Sequence, residues 1–173
     1  MFRLLPIRIM FPQMSEPDRG ADLKLLTKYF GEIECDSKDI LKFSNGLFGF
    51  EKEREFILLP FEGSGETLLS LQSVQTASLS FVLMNPFALK PDYAPELTKD
   101  ELAALGVERS QELSFYVMCV VREPVGESTV NLKCPVAVNE DTHQAMQVIL
   151  ETTEYEMRHR LMDLQNREGK PEC

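Results

Sequence analysis

The chain has 173 residues, of which 43% are apolar and 27% charged, enough for one domain with a hydrophobic core and too apolar for wholesale disorder. Its net charge of −10 argues against direct nucleic-acid binding, which depends on Lys and Arg displacing counterions from phosphates. No apolar run approaches the length of a membrane span, and no compact Lys/Arg patch offsets the acid excess.

Residues 1–22 read as an extension, either disordered or lying upstream of the true start. MFRLLPIRIMF (1–11) is short, apolar and basic, but Pro6 and Arg8 break any secretory core. A second methionine, Met14, opens the polar stretch MSEPDRGAD, which suits an upstream start codon. The first twenty residues sum to +1, so residues 21–173 carry −11. Composition by itself favours a solubility surface over a dedicated basic partner as the reason for that charge. Cys35, Cys119, Cys134 and Cys173 form no C-x-x-C and no disulfide framework, which suits a reducing cytoplasm.

From residue 23 to about 162 alternation at period two dominates and helical periodicity is scarce. Leu25–Tyr29 and Glu32–Cys35 read as short strands split at Phe30-Gly31. FSNGLFGF (43–50) is a turn-rich link punctuated by Gly46 and Gly49. Phe56–Leu59 is a compact strand ending at Pro60, and the loop FEGSGE follows. Leu68–Leu71 and Leu79–Met84 are further strands, the second ended by Asn85-Pro86. One short helix is predicted over about 98–105: Thr98-x-x-Glu101 is a capping box, Leu102 and Leu105 give an apolar face, and Gly106 suits the stop. Ser114–Val121 (SFYVMCVV) is continuous enough to be a strand buried on both faces, with Val117, Cys119 and Val121 in the core. Thr129–Leu132, Val136–Val138 and Ala145–Leu150 complete the set, and residues 163–173 read as a flexible tail. The pattern implies a mostly β, small antiparallel barrel-like or sandwich domain.

Little in the chain points to chemistry. His143 and His159 have no cysteine nearby and read as surface or hydrogen-bonding residues, not as ligands or bases. G-x-S-x-G and the phosphate-binding glycine patterns are absent, and Gly63-Ser64-Gly65 sits on a loop between Glu62 and Glu66. Glu51, Glu53 and Glu55 alternate with Lys52 and Arg54, as in a solvated stretch. No catalytic residue, metal ligand or cofactor is expected. What remains is the proline-rich connection after residue 84. Asn85, Phe87, Asp92 and Tyr93 combine aromatics with an acid, as protein interfaces favour. The same aromatics could instead fold back and plug an end of the barrel.

Several strings occur in one order: TKYFGEIE (27–34), FSNGLFGFE (43–51), FILLP (56–60), FVLMNPF (81–87), PDY (91–93), NLKCPVAVN (131–139) and QVILETTEYEMRH (147–159). Together they resemble the flagellar assembly factor FliW family over residues 25–161. The extension before Met14 departs from the usual short start. The resemblance implies a cytoplasmic, non-enzymatic protein, monomeric alone, that binds neither membrane nor nucleic acid. It implies two partners. One is flagellin before export. The other is CsrA, a small dimeric regulator that binds messenger RNA and represses translation. In this picture the protein holds CsrA, away from the regulator's RNA surface, until unexported flagellin competes. A dedicated flagellin chaperone without the regulatory role is the alternative, and a small hydrolase ranks behind both. Asn85, Phe87, Asp92 and Tyr93 lie in matched strings, as do Phe30, Gly31, Gly46 and Gly49, whose glycines read as architectural.

Overall fold

The structure, a computed structural model, describes residues 22–165. The expected extension, apart from Asp22, and residues 166–173 of the expected tail lie outside them. β1 (Asp22–Thr27) and β2 (Gly31–Asp36) pair as an antiparallel hairpin. There follow β3 (Leu41–Phe43), β4 (Glu55–Pro60), β5 (Leu68–Ser73), β6 (Ser80–Met84), α1 (Pro86–Leu89) and α2 (Lys99–Leu105). The remainder is β7 (Ser114–Val120), β8 (Thr129–Val130), β9 (Val136–Asn139), β10 (Gln144–Gln147), β11 (His159–Arg160) and α3 (Leu161–Gln165).

Seven strands close on themselves in the order β7-β6-β5-β4-β3-β10-β9, with β9 returning to β7. The barrel that the alternation implied is therefore present. One pair departs from the antiparallel rule, because β3 and β10 run parallel. Closure removes the free sheet edges that a flat seven-stranded sheet would leave. β7 carries the seam. Its first half, Ser114–Tyr116, pairs with β9, and its second half, Cys119–Val120, pairs with β8.

Side-chain alternation sorts the strands into two cores. Phe43, Phe56, Leu58, Leu69, Leu71, Leu83, Tyr116, Val136, Val138 and Ala145 fill the barrel. Phe115, Val117, Cys119 and Ala137 point the other way, into a second core with Leu97, Leu105, Leu132, Tyr155 and Leu161. β7 is thus buried on both faces, which explains why it reads as a nearly continuous apolar run. Val117 and Cys119 are buried as expected, but Val121 is not: it is 58% exposed. The pairing ends at Val120 opposite Thr129, and the chain leaves the wall one residue before Val121 could be covered.

Polar staples join the layers. Gln72 is fully buried; its oxygen accepts from Lys28 N–H (2.9 Å) and its amide reaches the carbonyls of Ser73 (3.0 Å), Ala77 (3.1 Å) and Leu79 (3.1 Å). The hairpin is held there and by the rings of Tyr29 and Phe30 against Phe61. α2 has the expected capping box, with Thr98 N–H donating to Glu101 Oε2 at 2.8 Å and Gly106 at φ 72° closing it. Asn139 Nδ2 donates to Leu105 O at 2.8 Å and so docks the helix on the second core.

Four elements were not foreseen, the short strands β3 and β11 and the helices α1 and α3. α1 is a single turn that Asn85 caps. α3 buries Leu161 and Leu164, so ordered packing runs past the expected boundary at 162. Two apolar residues three apart are too few to register as a helical period. Truncating Val117 removes contacts within the second core at the strand both cores share. Val117→Ala is expected to lower unfolding free energy by about 2–4 kcal/mol, and Val121→Ala by less than about 0.5 kcal/mol. Urea titration of both variants reads the difference.

Candidate partner-binding surface

The four expected site residues come together in one strap, residues 85–97, which crosses the outer side of the second core. Asn85 Oδ1 accepts from Phe87 N–H at 3.0 Å and Pro86 occupies the first helical position, so this dipeptide starts α1. Asn85 therefore shapes the strap and is only half-buried. Phe87 is also half-buried and meets Tyr93 edge-on, with ring centroids 5.8 Å apart.

Tyr93 is not at the surface. It is 1% exposed, and its hydroxyl donates to Leu132 O at 2.8 Å. Its ring lies 4.7 Å from that of Tyr155, whose hydroxyl accepts from Ala94 N–H at 3.0 Å. Burial holds the Tyr93 phenol well above its ordinary pKa, with the nearby Tyr155 and Cys134 adding to the shift. Tyr93 thus fills the second core and fixes the strap, with no free face to offer a partner.

Asp92 is exposed. Lys90 Nζ lies 2.6 Å from Asp92 Oδ1 and 3.6 Å from Glu154 Oε1, and sits 5.9 Å from the centroid of the Tyr155 ring. Burial works against the Lys90 charge, but the hydrogen bond and charge of Asp92, aided by Tyr155 and Glu154, outweigh it and raise the pKa. The clip ties the strap to the segment 151–158. On the strap and the segment 151–158, Asp92, Glu96, Glu151, Glu154 and Glu156 face solvent and outnumber the cations there, Lys90, exposed Arg158, and Lys133, whose Nζ donates to Thr152 O. The result is a rigid aromatic base under an acidic exterior. Lys90 and Tyr155 escaped the sequence reading, although Tyr155 stands within the string QVILETTEYEMRH.

The arrangement offers little for catalysis. His159 Nε2 accepts from Glu156 N–H at 2.8 Å in a surface turn, and His143 adopts a left-handed backbone (φ 57°) while its carbonyl accepts from Lys42 N–H at 2.8 Å. Burial pushes the thiols of Cys35, Cys119 and Cys134 up in pKa, away from nucleophilic thiolate. Among the described residues no three His, Cys, Asp or Glu side chains group as a metal site, and no helix is long and apolar enough to cross a membrane.

Fold and surface define a small β-barrel protein with an acidic, rigidly held strap. Residues 24–161 match the family model described as FliW protein. The flagellar assembly factor FliW of Geobacillus sp. (strain WCH70) is 41% identical over 139 residues, covering 80% of this chain and 95% of that protein. That of Ruminiclostridium cellulolyticum is 37% identical over 79% of this chain and 93% of its own length. A crystal structure of the flagellar assembly factor FliW superposes with a TM-score of 0.74 at 39% identity, covering 80% of this chain and 96% of that one. The chain belongs to the FliW family of flagellar assembly factors. These relatives are named as assembly factors and not as enzymes.

Tyr93→Phe leaves the Leu132 carbonyl unpaired in the core. Its expected cost is about 1–3 kcal/mol of stability, with a smaller loss of partner affinity per folded molecule as the strap loosens. Thermal unfolding alongside a binding titration reads both quantities.

Proposed function

We propose that this protein works in the cytoplasm as a partner-switching flagellar assembly factor. It binds the regulator CsrA, relieves repression of flagellin messenger RNA, and chaperones flagellin before export. Membership of the FliW family is the observation that carries this reading. The acidic strap supports it further. An RNA-binding regulator is basic, and a surface bearing Asp92, Glu96, Glu151, Glu154 and Glu156 attracts it and repels RNA. The protein itself touches no nucleic acid or membrane in this account, and is monomeric until a partner arrives.

Within the strap the four residues divide their roles. Phe87 and Asp92 reach solvent and make the contacts. Asn85 and Tyr93 hold them there by the cap at 3.0 Å and the buried hydroxyl bond at 2.8 Å. Such preorganisation reduces the ordering cost of binding. The acidic field then acts chiefly on the encounter rate.

Stopped-flow mixing with purified CsrA tests this. Because exposed charges are screened over about 8 Å at physiological ionic strength, the association rate is expected to fall about tenfold or more from 50 to 500 mM salt. Asp92→Lys is expected to slow association more than it speeds dissociation. A rate indifferent to salt would remove electrostatic steering. Failure to form any complex at micromolar concentrations would remove CsrA as a partner.

A further inference from the structure

We infer that one mouth of the barrel is a second docking surface, and that its occupant is a short apolar segment of an unassembled flagellin subunit. The barrel's inward-facing rows do not stop at this end; they run out into solvent. On β7 the row passes from Tyr116 (buried) through Met118 (half-buried) to Val120, which is 55% exposed. On β10 it passes from Ala145 through Gln147 to Ile149, which is 51% exposed. Val82 is opposite Cys119, so the register sets Phe81 beside Val120 on the same face. The loop after β3 completes the rim. Phe50 packs edge-on against Phe81 at 5.0 Å and is 40% exposed, and Phe48 is 52% exposed. Phe48 N–H donates to Gln147 Oε1 at 3.0 Å, which joins the loop to the β10 side.

The loop that presents these rings is built to hold still. Leu47 is buried in the barrel as its plug, and Phe50 N–H donates to Leu47 O at 2.8 Å. At Gly46 a Cβ would lie 2.7 Å from Glu51 Cα and from Phe50 O, so the backbone closes where only glycine fits. Two phenylalanines held out in water by a rigid loop are a preformed contact.

The size and charge of the rim select the occupant. Phe48, Phe50, Val120 and Ile149 together offer roughly 300–400 Å² of exposed side chain, the scale of a functional patch on a monomer. A second copy stacked on it would bury about 700 Å² in total, short of the roughly 1,200 Å² a stable interface needs. A helix or strand carrying two or three large apolar side chains fits the area. The charges of the loops that frame the rim balance, Glu51 and Glu53 against Lys52 and Arg54, and Arg122 against Glu123, with Glu151 only at the border with the strap. Nothing there favours a basic partner, whereas the strap does. A subunit that polymerises carries apolar assembly surfaces, which must be covered until it is exported. The inference rests on the function proposed above and adds to it by giving the two partners different surfaces.

The test titrates the full-length chain with purified flagellin monomer and, separately, with purified CsrA. The variants are Phe48→Asp and Val120→Asp, with Leu26→Asp as a control at another exposed apolar side chain, 62% exposed on β1. The two rim variants are expected to weaken flagellin binding tenfold or more, and to leave CsrA affinity within twofold and the melting temperature within a few degrees. Leu26→Asp is expected to change neither affinity. If the wild type binds flagellin and both rim variants bind it equally well, the rim is not the site and the proposed function stands. If the rim variants weaken CsrA binding instead, or both partners alike, the assignment of occupant is overturned. If the wild type binds no flagellin, the rim's partner falls together with that part of the proposed function.

Discussion

The fold depends on β7 serving as a wall between two cores. Its odd and even side chains are buried in different compartments, and its two halves pair with different neighbours, β9 and β8. A strand that has exhausted both faces and both edges has no freedom of register, since a slip of one residue would exchange the compartments. Outside the barrel, the second core and the strap are then positioned from β7, and the β1–β2 hairpin from Gln72 and Phe61. The second core forms on its outer face, and the strap lies over that core with Tyr93 pinned to Leu132 and Tyr155. The exposed rim lies at the end of its inner row. Structure and proposed binding therefore share one element.

This explains which parts of the architecture were legible in the sequence. β4, β5, β6 and β7 announce themselves because each presents several apolar side chains to a core, and the capping box of α2 is a local chemical signal. β3 and β11 are two or three residues long; closure supplies the partners of β3, and β8 alone pairs with β11 outside the barrel, which no local pattern records. The parallel pairing of β3 with β10 is likewise a product of closure. Val121 was misjudged for a related reason. An apolar run does not mark where pairing ends, and β8 stops opposite Val120.

The candidate site was legible as a place and less so as a set of roles. Aromatics in a proline-rich link can anchor a partner or fill a core. Tyr93 does the latter, because residues 39 and 62 positions further on, Leu132 and Tyr155, fold against it. Lys90, an ordinary lysine in sequence, becomes the clip between Asp92 and Glu154 only once the segment 151–158 lies alongside. The rim was harder to read, since its members come from four separate stretches and each alone resembles a core residue.

The strap and the rim adjoin. Ile149 stands on the rim and Glu151 on the acidic side, two residues apart in a nearly extended segment of about 7 Å. A typical partner footprint of about 800 Å² centred on either surface spreads over the junction, so two globular partners exclude one another even though their principal contacts differ. Exchange needs no conformational switch on this account; it follows from crowding around residues 149–151. The most direct test is a competition titration in which labelled CsrA, bound to the full-length chain, is challenged with flagellin monomer and followed by anisotropy and analytical ultracentrifugation. The account predicts that flagellin releases CsrA and that no ternary complex accumulates at saturation. A stable ternary complex, or CsrA that stays bound at any flagellin concentration, would contradict it.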